Sequence, residues 1–148
     1  MAAKKPSARD NFGKDQRLSS MAWDERYRSR ELGWDLGNAA PPLRRLAATL
    51  NLAGKTVLVP GCGRGFEACL FAEHGSEVTA VDFSPRALEE ASRLSVKTLG
   101  PLARRITWVR ADVRKLPPEW TERFDFAAEH ACFCALAPAD RQTYLGEL

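Results

Sequence analysis

The sequence has no long hydrophobic run and little net charge. Hydrophobic residues make up 45% of the chain, but no apolar stretch approaches the length that spans a membrane. The first residues also lack the hydrophobic segment of a secretory signal. The formal charge of +3 arises from 22 basic and 19 acidic residues, a balance that is atypical of nucleic-acid binding. We therefore expect neither a membrane nor a nucleic acid as partner.

The four cysteines follow none of the spacings that indicate a disulfide framework or a structural zinc site. The pair Cys132 and Cys134 lies close to His130, which raises the question of a metal site. On a strand, residues two apart share one face, and such alternation more often reflects packing. We predict no metal, and reduced thiols favour a cytoplasmic location.

What the sequence does contain fits one domain after a short leader. The chain has 148 residues, enough for a real core. Residues 1–19 are polar and without periodicity, and we expect a flexible leader there. Residues 20–148 form the predicted domain. Within it, Trp23 and Tyr27 are at helical spacing.

A glycine-rich turn is the most informative segment. The apolar run at 57–59 ends at Gly61, Gly63 and Gly65, and an amphipathic stretch follows. A second apolar run then ends in Asp82. These segments form half of a nucleotide-binding unit, which consists of a strand, a glycine turn, a helix, a second strand and a terminal acid. In such a unit the carboxylate accepts hydrogen bonds from ribose hydroxyls.

Further alternation of apolar runs and amphipathic stretches predicts an α/β fold with a Rossmann-like parallel sheet and helices on both faces. Strands are expected at 56–59, 77–81, 106–109 and 124–128, and a helix at 65–73. Ser84 and Pro85 form a typical helix start. A strand order of 3-2-1-4 would place the glycine turn at the switch point where such sheets bind ligands.

The glycine turn alone does not identify the cofactor, since NAD, FAD, ATP and S-adenosylmethionine sites all use one. Phe66 occupies the place of the last glycine in the dinucleotide fingerprint. Glu67, in the first helical turn, would repel a diphosphate. Asp112 directly follows the third strand, where it could accept a hydrogen bond from an adenine amino group, although a loop cap is its alternative role. These features favour S-adenosylmethionine.

Several motifs resemble the thiopurine S-methyltransferase family, within the class I S-adenosylmethionine-dependent methyltransferases. They are Trp-Asp-Glu-Arg-Tyr at 23–27, Gly-Trp-Asp-Leu-Gly at 33–37, Val-Pro-Gly-Cys-Gly at 59–63, Val-Asp-Phe-Ser-Pro at 81–85 and Phe-Cys-Ala-Leu-Ala-Pro at 133–138. The resemblance covers about 20–148. It is strongest to the branch of thiol, thiocyanate and halide methyltransferases.

The resemblance implies a set of cofactor-binding residues: Trp23, Tyr27, Trp34, Gly61, Cys62, Gly63, Asp82, Phe83, Ala111, Asp112 and Glu129. The aromatic residues would cover the methionine end, although core packing is their alternative role. Glu129 and His130 would lie beside the reacting sulfonium as catalytic residues. Tyr27 replaces a more common tryptophan, and Glu129-His130 replaces a more usual Asp-Tyr or Asp-Arg pair.

The resemblance also implies that the chain is C-terminally truncated. A family member would continue with strands that complete a seven-stranded sheet. We therefore expect a fragment, a truncated product, or a chain completed by another copy. The uncovered edge of strand four would then make self-association possible.

The implied activity is methyl transfer from S-adenosylmethionine to a small-molecule acceptor, either a small thiol or another soft nucleophile such as thiocyanate or halide. His130 could deprotonate a neutral thiol, or act only as a hydrogen-bonded structural histidine. Cys62 is expected to be a small buried side chain, not a nucleophile. The alternative function is a truncated cofactor-binding module without activity. A nucleotide-dependent oxidoreductase is disfavoured by Phe66 and Glu67.

Overall fold

The computed structural model of the protein describes residues 19–148. The expected leader, residues 1–19, lies outside the described residues except for Ser19. The Ser19 side chain accepts a hydrogen bond from the Ala22 amide at 3.2 Å and so caps the first helix.

The described residues form six α-helices around a four-stranded sheet. The helices are α1 (Ser20–Ser29), α2 (Pro41–Thr49), α3 (Phe66–Glu73), α4 (Pro85–Leu99), α5 (Cys132–Ala135) and α6 (Pro138–Glu147). The strands are β1 (Thr56–Pro60), β2 (Glu77–Asp82), β3 (Ile106–Arg110) and β4 (Phe126–Ala127). Two 3-10 helices, Gly100–Arg105 and Pro118–Trp120, lie in the connections.

All strand pairs are parallel and the order is β3-β2-β1-β4, which confirms the predicted α/β Rossmann-like sheet. The chain moves outward from β1 through β2 to β3, and then returns to the other side of β1. The switch point therefore lies between β1 and β4, at the carboxyl end where the glycine turn follows β1.

Helices cover both faces of the sheet, as the alternation along β1 requires. Val57 and Val59 pack into a core shared with residues of α2, α3 and α4. Leu58, between them, packs into a second core on the opposite face, together with Tyr144 of α6.

Helix starts and stops follow the sequence signals closely. The Ser84 hydroxyl accepts a hydrogen bond from the Ala87 amide at 3.1 Å, and Pro85 begins α4. Gly65 adopts a φ of +77° as the residue before α3, so that this helix begins one residue later than predicted. Among the apolar side chains of α3, Leu70 is buried, whereas Phe66 and Cys69 are only partly buried.

Strand β4 is shorter than the predicted 124–128. The Asp125 amide donates to the Thr56 carbonyl at 3.0 Å, and the Ala128 amide donates to the Leu58 carbonyl at 2.9 Å. One backbone hydrogen bond therefore lies on each side of the two-residue strand. Phe124, before the ladder, packs into the core that contains Leu58 and contacts Trp120, with ring centroids 5.6 Å apart. On the other side of β4 no strand of the described chain pairs with it, and Phe126 is 37% exposed.

Cys132 and Cys134 lie on the one-turn helix α5, so their interpretation as alternating strand residues is wrong. In a helix, residues two apart point in different directions. Cys132 is accordingly buried and Cys134 is exposed.

Candidate functional site

A cleft opens at the carboxyl ends of the strands, beside the switch point. It encloses about 950 Å³ of space between the side chains and the adjoining open solvent. The lining residues are Trp23, Tyr27, Trp34, Gly61, Asp82, Phe83, Asp112, Val113, Arg114, His130, Ala131, Cys132, Cys134, Ala135, Leu136, Ala137 and Asp140.

The glycine turn forms one wall of this cleft and leaves no room for side chains. Gly61 and Gly63 have φ angles of +60° and +51°, a region that disfavours residues with a Cβ. A Cβ on Gly61 would lie 2.5 Å from the Cys132 sulfur, and one on Gly63 would lie 2.9 Å from the Tyr27 hydroxyl. The turn therefore packs directly against α5 and α1.

Cys62, between these glycines, is 5% exposed. Burial raises the pKa of its thiol well above the usual range, so it remains protonated at neutral pH. Its environment therefore agrees with the expected packing side chain, and not with a nucleophile.

Asp82 lies at the tip of β2 against the glycine turn and is 8% exposed. Its Oδ2 accepts from the Gly63 amide and its Oδ1 accepts from the Ser84 amide, both at 2.9 Å. Burial raises the pKa of this carboxyl, while the bonds from Ser84 and Gly63 oppose that rise. Each oxygen retains acceptor capacity for a further donor, such as a ribose hydroxyl.

Asp112 lies at the same edge of the sheet, just beyond β3. The Arg114 Nη2 donates to its Oδ2 at 2.6 Å, and the Arg114 amide donates to its Oδ1 at 2.9 Å. The Arg114 guanidinium lowers the pKa of Asp112, so this carboxyl is ionised at neutral pH. Asp112 thus forms the loop cap that was its alternative role, and it also lines the cleft.

Three aromatic side chains form a lid over one end of the cleft. The Trp34 ring packs edge-to-face against Trp23 and Tyr27, with centroid distances of 5.1 and 6.1 Å. The Arg26 guanidinium lies 5.4 Å from the centroid of the Trp23 ring. Tyr27 is buried, and that burial raises the pKa of its hydroxyl far above the usual value.

Helix α1 is tied to the turn after β2, which holds this aromatic lid in place. The Ser20 hydroxyl donates to the Phe83 carbonyl at 2.8 Å. The Asp24 carboxylate accepts hydrogen bonds from the Ser84 hydroxyl and the Arg86 amide. Trp23, next to Asp24, is thereby positioned at the cleft.

His130 and Glu129 follow β4 but face different surroundings. His130 lines the cleft, and its Nδ1 lies 3.9 Å from Oε1 of Glu67. Glu129 instead accepts hydrogen bonds from the Cys132 and Phe133 amides at 2.6 and 3.1 Å, where it caps α5.

A smaller hollow of about 440 Å³ adjoins the cleft along the glycine turn. It shares Trp34, Gly61 and His130 with the cleft. Glu67, whose Oε1 accepts from the Ala40 amide at 3.0 Å, lines this hollow. A diphosphate placed against the first turn of α3 would therefore meet a carboxylate.

The structure brings together eight of the predicted site residues around the cleft: Trp23, Tyr27, Trp34, Gly61, Asp82, Phe83, Asp112 and His130. Cys62 and Gly63 line only the adjoining hollow. Ala111 and Glu129 line neither space. The Ala111 amide donates to the Asp82 carbonyl at 3.2 Å and extends the β2–β3 ladder.

Sequence reasoning missed Arg114 and Asp140, the charged pair at the far end of the cleft. Asp112 and Arg114 are two residues apart, a spacing at which a side chain can bond its own loop. No local signal links Arg114 to Asp140, since 26 positions separate them.

The family profile of thiopurine S-methyltransferase (TPMT) matches residues 18–148 of this chain. The chain belongs to the thiopurine S-methyltransferase family. Thiopurine S-methyltransferases and thiol or thiocyanate methyltransferases are also among its individual relatives.

Two of these relatives come from Arabidopsis thaliana. A probable thiol methyltransferase 2 is 31% identical over 123 residues, which cover 83% of this chain and 53% of that protein. Thiocyanate methyltransferase 1 is 32% identical over 124 residues, with coverages of 82% and 52%. A thiopurine S-methyltransferase of Pseudomonas aeruginosa (strain UCBPP-PA14) is 30% identical over 136 residues, with coverages of 85% and 62%. The chain thus spans about half to three-fifths of the length of these relatives.

Two solved structures share the architecture. The 1,6-didemethyltoxoflavin-N1-methyltransferase of Burkholderia thailandensis, with bound S-adenosylhomocysteine, aligns with a TM-score of 0.67 at 25% identity and covers 99% of this chain and 60% of its own. The structure reported under "Conversion of a Disulfide Bond into a Thioacetal Group during Echinomycin Biosynthesis" aligns with a TM-score of 0.72 at 28% identity, with coverages of 86% and 53%.

Two kinds of feature are absent from residues 19–148. No helix in this range is long and apolar enough to cross a membrane. Within the same range, no group of three or more His, Cys, Asp or Glu side chains is arranged to hold a metal ion.

Proposed function

We propose that this chain forms the cofactor-binding part of an S-adenosylmethionine-dependent methyltransferase that acts on a small thiol or a similar soft nucleophile. The observation that carries the proposal is the placement of Asp82 and Asp112 on two neighbouring strand tips, on one cleft with the glycine turn. Family membership and the names of the relatives support the reaction class.

The residues present fit the cofactor. Gly61 lines the cleft, and because it has no side chain the turn packs closely against α5, so that only backbone atoms of this residue would face the cofactor. Asp82 would accept hydrogen bonds from the ribose hydroxyls, and Asp112 would accept one from the adenine amino group. When bound, the cofactor supplies an electrophilic methyl group on a positively charged sulfur.

The aromatic lid would act at the reacting end. Electron-rich faces of Trp23 and Trp34 attract a cation and exclude water from the cleft. Exclusion of water favours methyl transfer, because the positive charge on the cofactor sulfur disperses as the reaction proceeds. Fixed placement of the cofactor and the acceptor would supply most of the remaining rate advantage.

His130 would take the proton of a neutral thiol acceptor. Its ring lines both the cleft and the adjoining hollow, where donor and acceptor would meet. A ring nitrogen of His130 would accept the thiol proton, which would leave a thiolate as the nucleophile toward the methyl group that the cofactor supplies. Glu129 would act on this site only through its cap on α5, because it does not line the cleft.

Calorimetry with S-adenosylhomocysteine, and with NAD as the comparison ligand, tests the proposal. We expect binding of S-adenosylhomocysteine and none of NAD. Absence of heat with S-adenosylhomocysteine would overturn the assignment, and binding of NAD alone would favour an oxidoreductase.

A cofactor-binding module without activity is the alternative, and the names of the relatives, which are methyltransferases, do not favour it. An assay of methyl transfer to thiols, thiocyanate and iodide separates the two candidates. Methylation that falls at least about tenfold in His130→Gln with a neutral thiol, but not with thiocyanate, would support the base role. Binding without any turnover would favour the module.

The β4 edge and the four free cysteines support two further parts of the proposal. We propose that a second copy of the chain can cover the exposed Phe126 edge, which sedimentation velocity over a concentration series would detect as a dimer. A monomer at all concentrations would contradict this. Free cysteines also fit a reducing compartment, and we propose a cytoplasmic location.

A further inference from the structure

Arg114 joins two carboxylates at the far end of the cleft from the aromatic lid. Its Nε donates to both Asp112 oxygens, at 2.9 and 3.1 Å, and its Nη2 donates to Oδ2 at 2.6 Å. Its Nη1 donates to Asp140 Oδ2 at 2.9 Å. All three side chains line the cleft, and each is about one-third exposed.

The contacts with Asp112 fix both the orientation and the charge of that carboxylate. A planar guanidinium holds a carboxylate in one rotamer more strictly than a point charge does. The Arg114 backbone amide also donates a hydrogen bond to Asp112 Oδ1, which further restrains this carboxylate. Asp112 is therefore held as an ionised acceptor with a defined orientation toward the cleft.

The contact with Asp140 extends this arrangement to α6. Asp140 lies in the first turn of that helix. At the other end of α6, Glu147 Oε2 accepts from the Leu116 amide at 2.6 Å. Leu116 and Tyr144 are both buried in the core between these two points. Helix α6 is thus attached at both ends to the loop that carries Asp112.

We propose that Arg114 is a positioning residue for purine recognition, which presents Asp112 as a fixed acceptor that selects a 6-amino over a 6-oxo purine. The inference rests on the proposed function, in which the cleft holds an adenosine. An amino group at C6 donates to a carboxylate. An oxo group at the same position places one acceptor against another and is repelled.

The test compares the affinities of S-adenosylhomocysteine and its inosine analogue, S-inosylhomocysteine, by calorimetry. For the wild-type chain we expect a preference for the adenine ligand of about tenfold or more, as for a hydrogen bond to a charged group. In Arg114→Met we expect the affinity for S-adenosylhomocysteine to fall about tenfold and most of the preference to disappear.

Two further variants separate positioning from a structural role. Arg114→Lys retains the positive charge but loses the planar set of N–H donors. We expect its preference for the adenine ligand to lie between those of wild type and Arg114→Met. Asp140→Asn loosens α6 only, and we expect about two- to threefold weaker binding of both ligands with the preference unchanged. Arg104→Met removes an exposed charge before β3 that does not line the cleft, and serves as the matched control.

Each outcome decides the inference. An unchanged preference in a folded Arg114→Met overturns it and leaves the proposed function standing. If Arg114→Met does not fold, an unchanged preference in Arg114→Lys has the same meaning. If the wild-type chain binds neither ligand, the inference and the proposed function fail together.

Discussion

The Gly63 amide donates a hydrogen bond to Asp82 Oδ2 at 2.9 Å, so the glycine turn after β1 is attached to the tip of β2. The same carboxylate accepts from the Ser84 amide at the start of α4. One buried side chain therefore holds two loops at the position where the adenosine is proposed to bind. This double role makes Asp82 the first residue to test.

Asp82→Ala should weaken binding of S-adenosylhomocysteine by about 1–3 kcal/mol, because it removes the proposed ribose acceptor and leaves two amides without their partner. Calorimetry measures the affinity, and urea denaturation measures the stability. Asp125→Ala is the matched control. Asp125 accepts from the Thr56 amide and hydroxyl at the opposite end of the sheet, so this change should lower stability without changing affinity. Equal affinity in Asp82→Ala and wild type would remove the ribose assignment.

Gly65→Ala should destabilise the fold by about 2–3 kcal/mol, measured by urea denaturation. Its φ is +77°, and a Cβ would lie 2.6 Å from the Trp108 ring and 3.0 Å from the Ala91 Cβ. Gly37→Ala measures the free-energy cost of placing alanine at a positive φ without a steric clash. The φ of Gly37 is similar, at +68°, and no atom lies within 4 Å of the added Cβ. We expect about 1 kcal/mol there. Equal losses in the two variants would mean that Trp108 moves aside without cost.

Trp34→Leu should weaken binding of S-adenosylmethionine more than that of S-adenosylhomocysteine, by about 0.5–1 kcal/mol. Only S-adenosylmethionine has the positive sulfur that an aromatic face attracts, whereas loss of packing affects both ligands alike. Trp120→Leu is the control, because Trp120 is partly buried but does not line the cleft. Equal losses of affinity for the two ligands in Trp34→Leu would mean that the aromatic lid contributes only through packing.

The stabilising effect of Asp112 should decline at low pH. Its pKa in the folded chain is lowered, chiefly by Arg114, below its value in the unfolded chain. Stability from such a group is fully present above the unfolded pKa of about 3.9 and is lost as the pH falls through the lower folded pKa. We expect wild type and Asp112→Asn to differ in unfolding free energy by about 0.5–1 kcal/mol at pH 7, since the ion pair is partly exposed. This difference should stay constant down to about pH 5 and shrink below about pH 4. A difference that grows on acidification would contradict the ion pair.

Much of the site was predictable because its parts are local. The φ angles of Gly61 and Gly63 follow from the glycine pattern, and Ser84-Pro85 specifies the start of α4 through its own side chain and ring. Asp82 directly follows an apolar run, and Asp112 comes two residues after the end of β3. Once the strands are parallel and neighbouring, their carboxyl ends must meet at one edge.

Other features could not be predicted, because they depend on contacts between distant positions. The pair Cys132 and Cys134 is compatible with a strand or a helical turn, and the Glu129 cap favours the turn. The contact of Phe124 with Trp120, just before β4, likewise depends on how the connection after β3 folds.

The sequence by itself determined the alternation of strands and helices, the glycine turn and the two acids that follow β2 and β3, since each depends on hydrophobic period or on the conformational freedom of one residue. Only the tertiary structure decided that Arg114 reaches Asp140 and that Glu67 lies beside His130. These pairs are 26 and 63 positions apart, and their contact arises from how α6 and α3 pack on opposite faces of the sheet.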